Sequence, residues 1–562
     1  MQSSVQQLLS VLALSTLASL VLAADHNTDH DAPQRPNILL IITDDMGYSD
    51  LGSFGGEIPT PNLDALAMSG VRFSNFLVHP ACSPTRATLY TGVDPHLAGV
   101  GNMYEELSPN QKGQPGYEGH LNDRVVSVAT LLRDTGYSTY LSGKWHLANQ
   151  PEQGAKSQGF QRSFALNSGG ASHFGDMRPA YHPDPEGKAA YVEDDQTLTQ
   201  LPAEFEYSTK YYADKLLSYL REDQSGKPFF AVLAYTAPHW PLQAPDEAIA
   251  KYKGRYDSGY DKLYAARRQR VAELGLIPAA PEPPRPPAVK PWAELDSPQQ
   301  REQARAMEIY AAMIDEIDVH TGRVIDYLRA EGELDNTFIV FMSDNGPEGH
   351  DLDETWPGDL FPAIRKVIDE RHDFSFGNMG RPNSYVFVGH GWAMATSAGL
   401  RMYKAFPSEG GTRVTAFARF PRLIEAGSVH HEPVPVRDIV PTFLELAEIE
   451  HPGKRYRDRA IYPLQGQSLL PRLQDSATAR DALLLGTELF GKYSLRHGDW
   501  KLLVMPPPYA SGNYELYNIQ ADPGEANDLS QQESERLAAM IKLWEAYVAD
   551  NGVILPDWVS GY

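Results

Sequence analysis

The run Asn37-Ile-Leu-Leu-Ile-Ile42 shows no alternation of polar and apolar residues. A strand with one face in water alternates with period two. A continuous apolar stretch of this length therefore predicts a strand buried on both faces, as in the parallel sheet of an α/β protein. Tyr137–Ser142, Phe229–Tyr235 and Thr337–Met342 read as strands of the same kind, and Asn62–Ser69, Val126–Asp134 and Glu302–Ala330 carry helical patterns. Strands alternating with helices predict crossover connections. The fold class expected is α/β, with a large, mostly parallel central sheet flanked by helices. After about His451 the pattern changes. Short strands at Tyr493–Leu495, Lys501–Val504 and Glu515–Tyr517, then a helix at Glu533–Ala549, predict a smaller C-terminal α+β unit with a short antiparallel sheet. The proline-rich stretch Ile277–Trp292 reads as a stiff surface loop or insertion. The expected divisions are 1–23, 33–455 and 456–562.

The first of these is a leader. Leu8–Ala23 is apolar but short and rich in small residues, and Val21-Leu22-Ala23 ends it like a signal-peptidase site. An exported protein, periplasmic or secreted and with no membrane anchor, is expected. The net charge of −24 argues against a nucleic-acid partner and against anionic membranes. It also disfavours an anionic substrate unless the site carries local positive charge. The chain has one cysteine, Cys82, which cannot form an internal disulfide.

Four predicted core strands run into polar residues. Ile38–Ile42 leads to Asp44 and Asp45, Thr337–Met342 to Asp344 and Asn345, Tyr137–Leu141 to Lys144 and His146, and Phe229–Tyr235 to His239. Ligands of open α/β sheets bind just beyond the carboxyl ends of the strands. Asp44, Asp45, Asp344 and Asn345 offer only oxygen, which selects a hard cation such as Ca²⁺ or Mg²⁺ over Zn²⁺. Either dipeptide alone would serve equally as a cap or a turn; two of them on two buried strands point to a metal. Lys144 and His146, at i and i+2, face one side of an extended segment. His239 is held between Pro238 and Trp240-Pro241.

Cys82 opens Cys82-Ser-Pro-Thr-Arg86. Ser83 reads as a helix N-cap and Pro84 as the first helical position. The cysteine is thereby set at a helix N-terminus that favours an anion, with Arg86 one turn in. An unmodified thiol there is expected to have a lowered pKa and to act as a nucleophile.

Cys82-Ser-Pro-Thr-Arg86 with Thr91-Gly92 resembles the type I sulfatase signature, Cys-x-Pro-x-Arg followed by Thr-Gly. The similarity continues through PNILLIITDD, GKWHL, APHWP, SDNG, Lys404 ahead of Glu409-Gly-Gly, GDWKL and ELYNIQADPGEANDL. It covers nearly all of the chain after the leader and is most like bacterial arylsulfatases, of the alkaline-phosphatase superfamily. The resemblance implies that a formylglycine-generating enzyme oxidises Cys82 to Cα-formylglycine, whose hydrate is the nucleophile. It implies that Asp44, Asp45, Asp344 and Asn345 hold one Ca²⁺, in preference to Mg²⁺, with the modified Cys82 as a further ligand. Arg86 would steady the formylglycine, with Lys144 and His146 beside its hydroxyls. His239 and Lys404 would hold the sulfate and help the leaving group, and His173 resembles another sulfate-pocket histidine. A gem-diol keeps a second hydroxyl that can lose its proton, to His146, and expel sulfate by C–O cleavage. The implied activity is hydrolysis of sulfate esters, most of all aryl sulfates. Cleavage of phosphonate monoesters or phosphodiesters, or non-catalytic binding of sulfated ligands, are the alternative readings. Ala148 and Thr415 depart from the family pattern, where glycine and proline are usual.

Overall fold

The computed structural model describes residues 35–474, 478 and 482–558. The expected signal peptide, residues 1–23, lies outside the described residues.

Eleven strands form the main sheet: β1 (Asn37–Thr43), β2 (Val71–Leu77), β3 (Ser138–Lys144), β4 (Arg162–Leu166), β5 (Tyr191–Glu193), β6 (Gln196–Thr197), β7 (Phe229–Ala234), β8 (Thr337–Ser343), β9 (Arg413–Arg419), β10 (Ser428–His430) and β11 (Val434–Pro435). Their order is β10-β2-β9-β8-β1-β7-β3-β4-β5-β6, with β11 beside β2. The centre, β8-β1-β7-β3-β4, is parallel. β9 runs antiparallel between β8 and β2.

Alternate residues of one strand enter two separate cores. Leu39 and Ile41 of β1 pack with Leu233, Ile339, Phe341 and the long helix Ser297–Ala330. Ile38, Leu40 and Ile42 pack on the opposite face with Val232, Val340, Leu89, Val128 and Phe443. Both faces are dry, so neither admits a polar residue, and this explains the unbroken apolar runs. Each such side chain contributes about 1.5–3 kcal/mol by leaving water. The long helix begins at Ser297, five residues before the sequence pattern shows it. Asp296 accepts from the Gln299 amide and Gln299 returns the bond, which fixes the start by a capping box that the apolar pattern does not reach.

The C-terminal region carries a two-stranded ribbon, β12 (Arg455–Tyr456) and β13 (Arg459–Ala460), and a four-stranded antiparallel sheet. That sheet is β14 (Leu484–Leu489), β15 (Lys492–His497), β16 (Trp500–Val504) and β17 (Glu515–Asn518). The helix Ser534–Asn551 covers one face, with Trp544 stacked on Tyr493 at 4.4 Å. β14 is additional to the three strands expected there. Gly486 interrupts its apolar pattern because a Cβ at that position would lie 2.5 Å from the Tyr547 ring.

Candidate active site

Four adjacent parallel strands end level with one another. Thr43 pairs with Ser343, and Ala234 pairs with both Ile42 and Gly143. The residues just past those ends therefore converge from neighbouring positions. Asp45 and His146 take left-handed backbone angles, φ 65° and 56°. Non-glycine residues seldom adopt this region, and it turns the chain sharply off the sheet. Gly143, at φ 122°, has no alternative, since a Cβ would lie 1.8 Å from the Ala234 carbonyl oxygen.

Cys82 is the first residue of the helix Cys82–Thr91, and Ala81 is its N-cap, so the helix starts earlier than Ser83 suggests. The thiol is 1% exposed and donates to Asp44 Oδ1 at 3.3 Å. Burial and the neighbouring Asp44 push its pKa well up, against Lys144 and Lys404. This reverses the expected lowering. The charge of Arg86 is already committed: Nε and Nη2 reach Asp344 Oδ2 at 2.9 and 2.7 Å, and Nη1 donates to the Lys144 carbonyl at 2.8 Å.

The carboxylates are crowded. Lys144 Nζ lies 2.6 Å from Asp44 Oδ2, and Lys404 Nζ lies 2.9 Å from Asp45 Oδ2. Asn345 donates to Asp45 Oδ1 at 2.6 Å. Burial works to raise Asp44, but Lys144, His239, Arg86 and Lys404 hold it well below the usual range. Asp45 is pushed up to about 8 by burial; Lys404 opposes this, while Asp44, Glu348 and Asp344 add to it. Burial and Asp44 also raise Asp344. Asp344 Oδ1 and Asn345 Oδ1 are buried with no hydrogen-bond partner among the described residues. Ligand atoms of Asp44, Asp45, Cys82 and His239 all lie within 4.8 Å of one another. Oxygens without donors, amid mutually repelling carboxylates, fit a hard divalent cation.

The histidines differ in setting. His239 Nδ1 lies 2.5 Å from the Trp240 carbonyl, which fixes the proton on Nδ1 and leaves Nε2 facing Asp45 Oδ2 at 3.6 Å. Burial and Lys404 hold its pKa well below the ordinary value. His146 Nε2 lies 3.1 Å from Glu105 Oε1, and its Nδ1 is without a hydrogen-bond partner among the described residues. Burial would raise Glu105, but His146 and the Tyr181 hydroxyl, at 2.5 Å, bring it to about 2. His173 stands apart from the other sequence candidates. It is wholly buried, with Nδ1 2.8 Å from Ser208 Oγ and Nε2 3.1 Å from the His239 carbonyl, so it braces the backbone behind His239.

Further side chains share the Cys82 cavity, none of them assigned a catalytic, substrate or metal role from the sequence: Met103, Glu105, Glu106, Tyr181, Trp240 and Trp356. Glu348 lies behind, 3.4 Å from Lys404 Nζ and 2.8 Å from His350 Nδ1. Glu348 has a local cue, standing two residues after SDNG.

An alkaline-phosphatase-like sheet with carboxylates, lysines and histidines gathered at its strand ends suits a class, the hydrolases of charged esters. Within that class the chain belongs to the sulfatase family, whose model matches residues 36–449. It is 40% identical over 538 residues to an uncharacterized sulfatase of Schizosaccharomyces pombe, spanning 93% of this chain and 95% of that one. It is 37% identical over 467 residues to the arylsulfatase of Klebsiella aerogenes, spanning 81% and 96%. The fold matches the crystal structure of Ps i-CgsB in complex with k-i-k-neocarrahexaose, with TM-score 0.64 and 24% identity over 94% of this chain and 95% of that one. The protein is a sulfuric ester hydrolase. Among the described residues no helix is long and apolar enough to cross a membrane.

Proposed function

We propose that the protein hydrolyses aryl sulfates, with Cys82 matured to Cα-formylglycine by a formylglycine-generating enzyme and one Ca²⁺ at the strand ends. The observation that carries the metal is the pair of buried, partnerless oxygens on Asp344 and Asn345. With Asp44 and Asp45 they make an all-oxygen set suited to Ca²⁺. The aryl preference rests on the aromatic wall of Tyr181, Trp240 and Trp356, with Tyr181 and Trp356 rings 4.8 Å apart, and on the arylsulfatase relative. Export rests on the leader sequence alone.

When bound, the cation supplies Lewis-acid stabilisation of the sulfuryl oxygens, and the formylglycine hydrate supplies the attacking hydroxyl. The chain's own residues do the remainder. Arg86 and Lys144 fix Asp344 and Asp44 in place beside residue 82. Lys404 and His239 flank Asp45 on the side toward Trp240, where the sulfate and the leaving oxygen fit. His239 is neutral with Nε2 unprotonated, so the proton for the departing phenol falls to Lys404 Nζ. His146 is the base. Glu105 accepts from its Nε2–H, which leaves the lone pair on Nδ1 to take a proton, by the logic of a carboxylate-oriented histidine.

The test is the mass of the tryptic peptide containing Cys82, together with kinetics on 4-nitrophenyl sulfate. A peptide 18 Da lighter than the thiol form, as roughly follows from replacing SH by an aldehyde oxygen, with activity proportional to its fraction, is expected. Full activity with an unmodified thiol would refute the mechanism.

A further inference from the structure

Glu106 ends the short 3-10 turn Tyr104–Glu106 and lines the cavity that holds Cys82, Trp240 and Lys404. The residue is 1% exposed, yet neither Oε1 nor Oε2 has a hydrogen-bond partner among the described residues. Every other carboxylate around the cavity is engaged: Asp44 by Lys144, Asp45 by Lys404, Asp344 by Arg86, Glu105 by His146 and Tyr181, and Glu348 by His350. The charged group acting on Glu106 is the like-charged Glu105, and burial pushes its carboxyl well above the ordinary range.

The turn itself does not need this side chain. The Glu106 amide donates to the Met103 carbonyl at 3.1 Å, and its carbonyl accepts from Asn102 Nδ2 at 3.3 Å. Burying a polar group unpaired is costly, and an apolar residue would fill the same space without that cost. Such an acceptor in a ligand cavity is explained by a partner that arrives with the ligand. In the proposed site the sulfate already has Lys404 and His239 beside it, so the partner left to Glu106 is a donor on the body of the leaving group, along Tyr181, Trp240 and Trp356.

We propose that Glu106 is a specificity-determining residue that receives a hydrogen-bond donor, hydroxyl or ammonium, carried as a substituent on the aryl leaving group. This rests on the reading of the cavity as an aryl sulfate site. A hydroxyl donates to the carboxyl as it stands. An ammonium brings its own counter-charge and takes the carboxylate form.

The experiment compares kcat/KM for 4-methylphenyl, 4-(hydroxymethyl)phenyl and 4-(aminomethyl)phenyl sulfates, with their meta isomers, in the wild type, Glu106→Gln and Glu106→Leu. The ratio of each donor substrate to its methyl partner cancels intrinsic reactivity when compared between proteins. That ratio is expected to fall at least about tenfold in Glu106→Leu, the scale of one lost buried hydrogen bond. In Glu106→Gln the ammonium ratio falls and the hydroxyl ratio is kept. The thermal midpoint of Glu106→Leu is expected to equal or exceed that of the wild type. Equal ratios in the three proteins overturn the proposal, and so does a Glu106→Gln protein that fails to fold, because the carboxyl would then be structural. Calorimetry with 4-methylphenol and 4-(aminomethyl)phenol reads the same preference without turnover. Failure of the wild type to cleave any of the sulfates therefore refutes the substrate reading, while equal binding of the two phenols refutes the role of Glu106.

Discussion

At the strand ends, Asp44, Asp45, Asp344 and Glu348 share a buried space with three fixed cations, Arg86, Lys144 and Lys404. Between the Lys404 loop and the C-terminal sheet, Glu409 and Glu525 face Lys501, Arg413 and Arg496. In the second cluster each carboxylate oxygen has a cation or an amide beside it, although Glu409 Oε2 and Glu525 Oε1 make no hydrogen bond among the described residues. Glu409 Oε1 has Lys501 at 3.0 Å, and Oε2 has both arginines at 3.8 Å. Glu525 Oε1 has Lys501 at 2.8 Å, and Oε2 accepts the Glu409 amide at 3.1 Å. The first cluster sets four carboxylates against three cations, whereas the second sets two against three. Both are equally dry, so burial alone does not separate a working site from a structural one. Charge balance does: one cluster holds cations enough for its carboxylates, while the other is one short, a deficit that a bound cation would fill.

The widest separation should come from deleting one carboxylate in each. Asp344→Ala is expected to lower kcat/KM for 4-nitrophenyl sulfate by about 10³-fold or more, since it removes a proposed ligand of the cation and frees Arg86. Glu409→Ala should instead cost about 3–5 kcal/mol of stability by urea unfolding, the scale for breaking a buried ionic pair. Its kcat on the folded fraction should change less than about tenfold. Should Asp344→Ala keep its activity, or Glu409→Ala lose activity without losing stability, the contrast is wrong.

Dialysis against a chelator acts on the first cluster only. Activity should vanish and return with Ca²⁺. At a Ca²⁺ level of 100 times Kd the folded state should gain about 2.7 kcal/mol. That gain should persist in Glu409→Ala and disappear in Asp344→Ala, as followed by thermal unfolding with and without Ca²⁺.

The smallest effect concerns His96, which tethers the C-terminal sheet through Glu488 on β14. Burial lowers its pKa, but Asp94 at 2.9 Å and Glu488 at 3.7 Å outweigh it and raise it to about 9. A proton held more tightly in the folded state stabilises fully below the unfolded value of about 6.5, and the contribution is lost as pH rises through about 9. Between pH 7 and 9 the wild type should lose roughly 2 kcal/mol that His96→Gln does not lose. Parallel pH profiles for the two proteins would remove His96 from this account.

The strand-end residues were legible because their signal is local: an apolar run buried on both faces, then a polar residue. That logic picked out Asp44, Asp45, Lys144, His146, His239, Asp344 and Asn345, which the structure brings to one end of the sheet. It failed where position depends on the path of a loop. Glu105, Glu106, Tyr181 and Trp356 come from loops whose course is set by packing against distant segments, as in the bond from Tyr181 to Glu105. His173 failed in the opposite sense. It carries the right chemistry, but both ring nitrogens are spent on Ser208 and the His239 backbone. The thiol of Cys82 was misjudged because a helix N-terminus was weighed without the burial and the Asp44 carboxylate that outweigh it.

Cys82 Sγ lies at the bottom of this crowded site, 1% exposed, with its pKa raised and its hydrogen given to Asp44. No catalyst the size of a protein reaches a sulfur so enclosed. Any enzymatic change at that atom therefore has a deadline, because it must be made while the chain is still open, before β1 and the helix Cys82–Thr91 come together. On the proposed formylglycine mechanism, folding speed becomes a determinant of how many molecules are born active. A variant that folds faster would be expected to leave more chains permanently as thiols, well formed and idle.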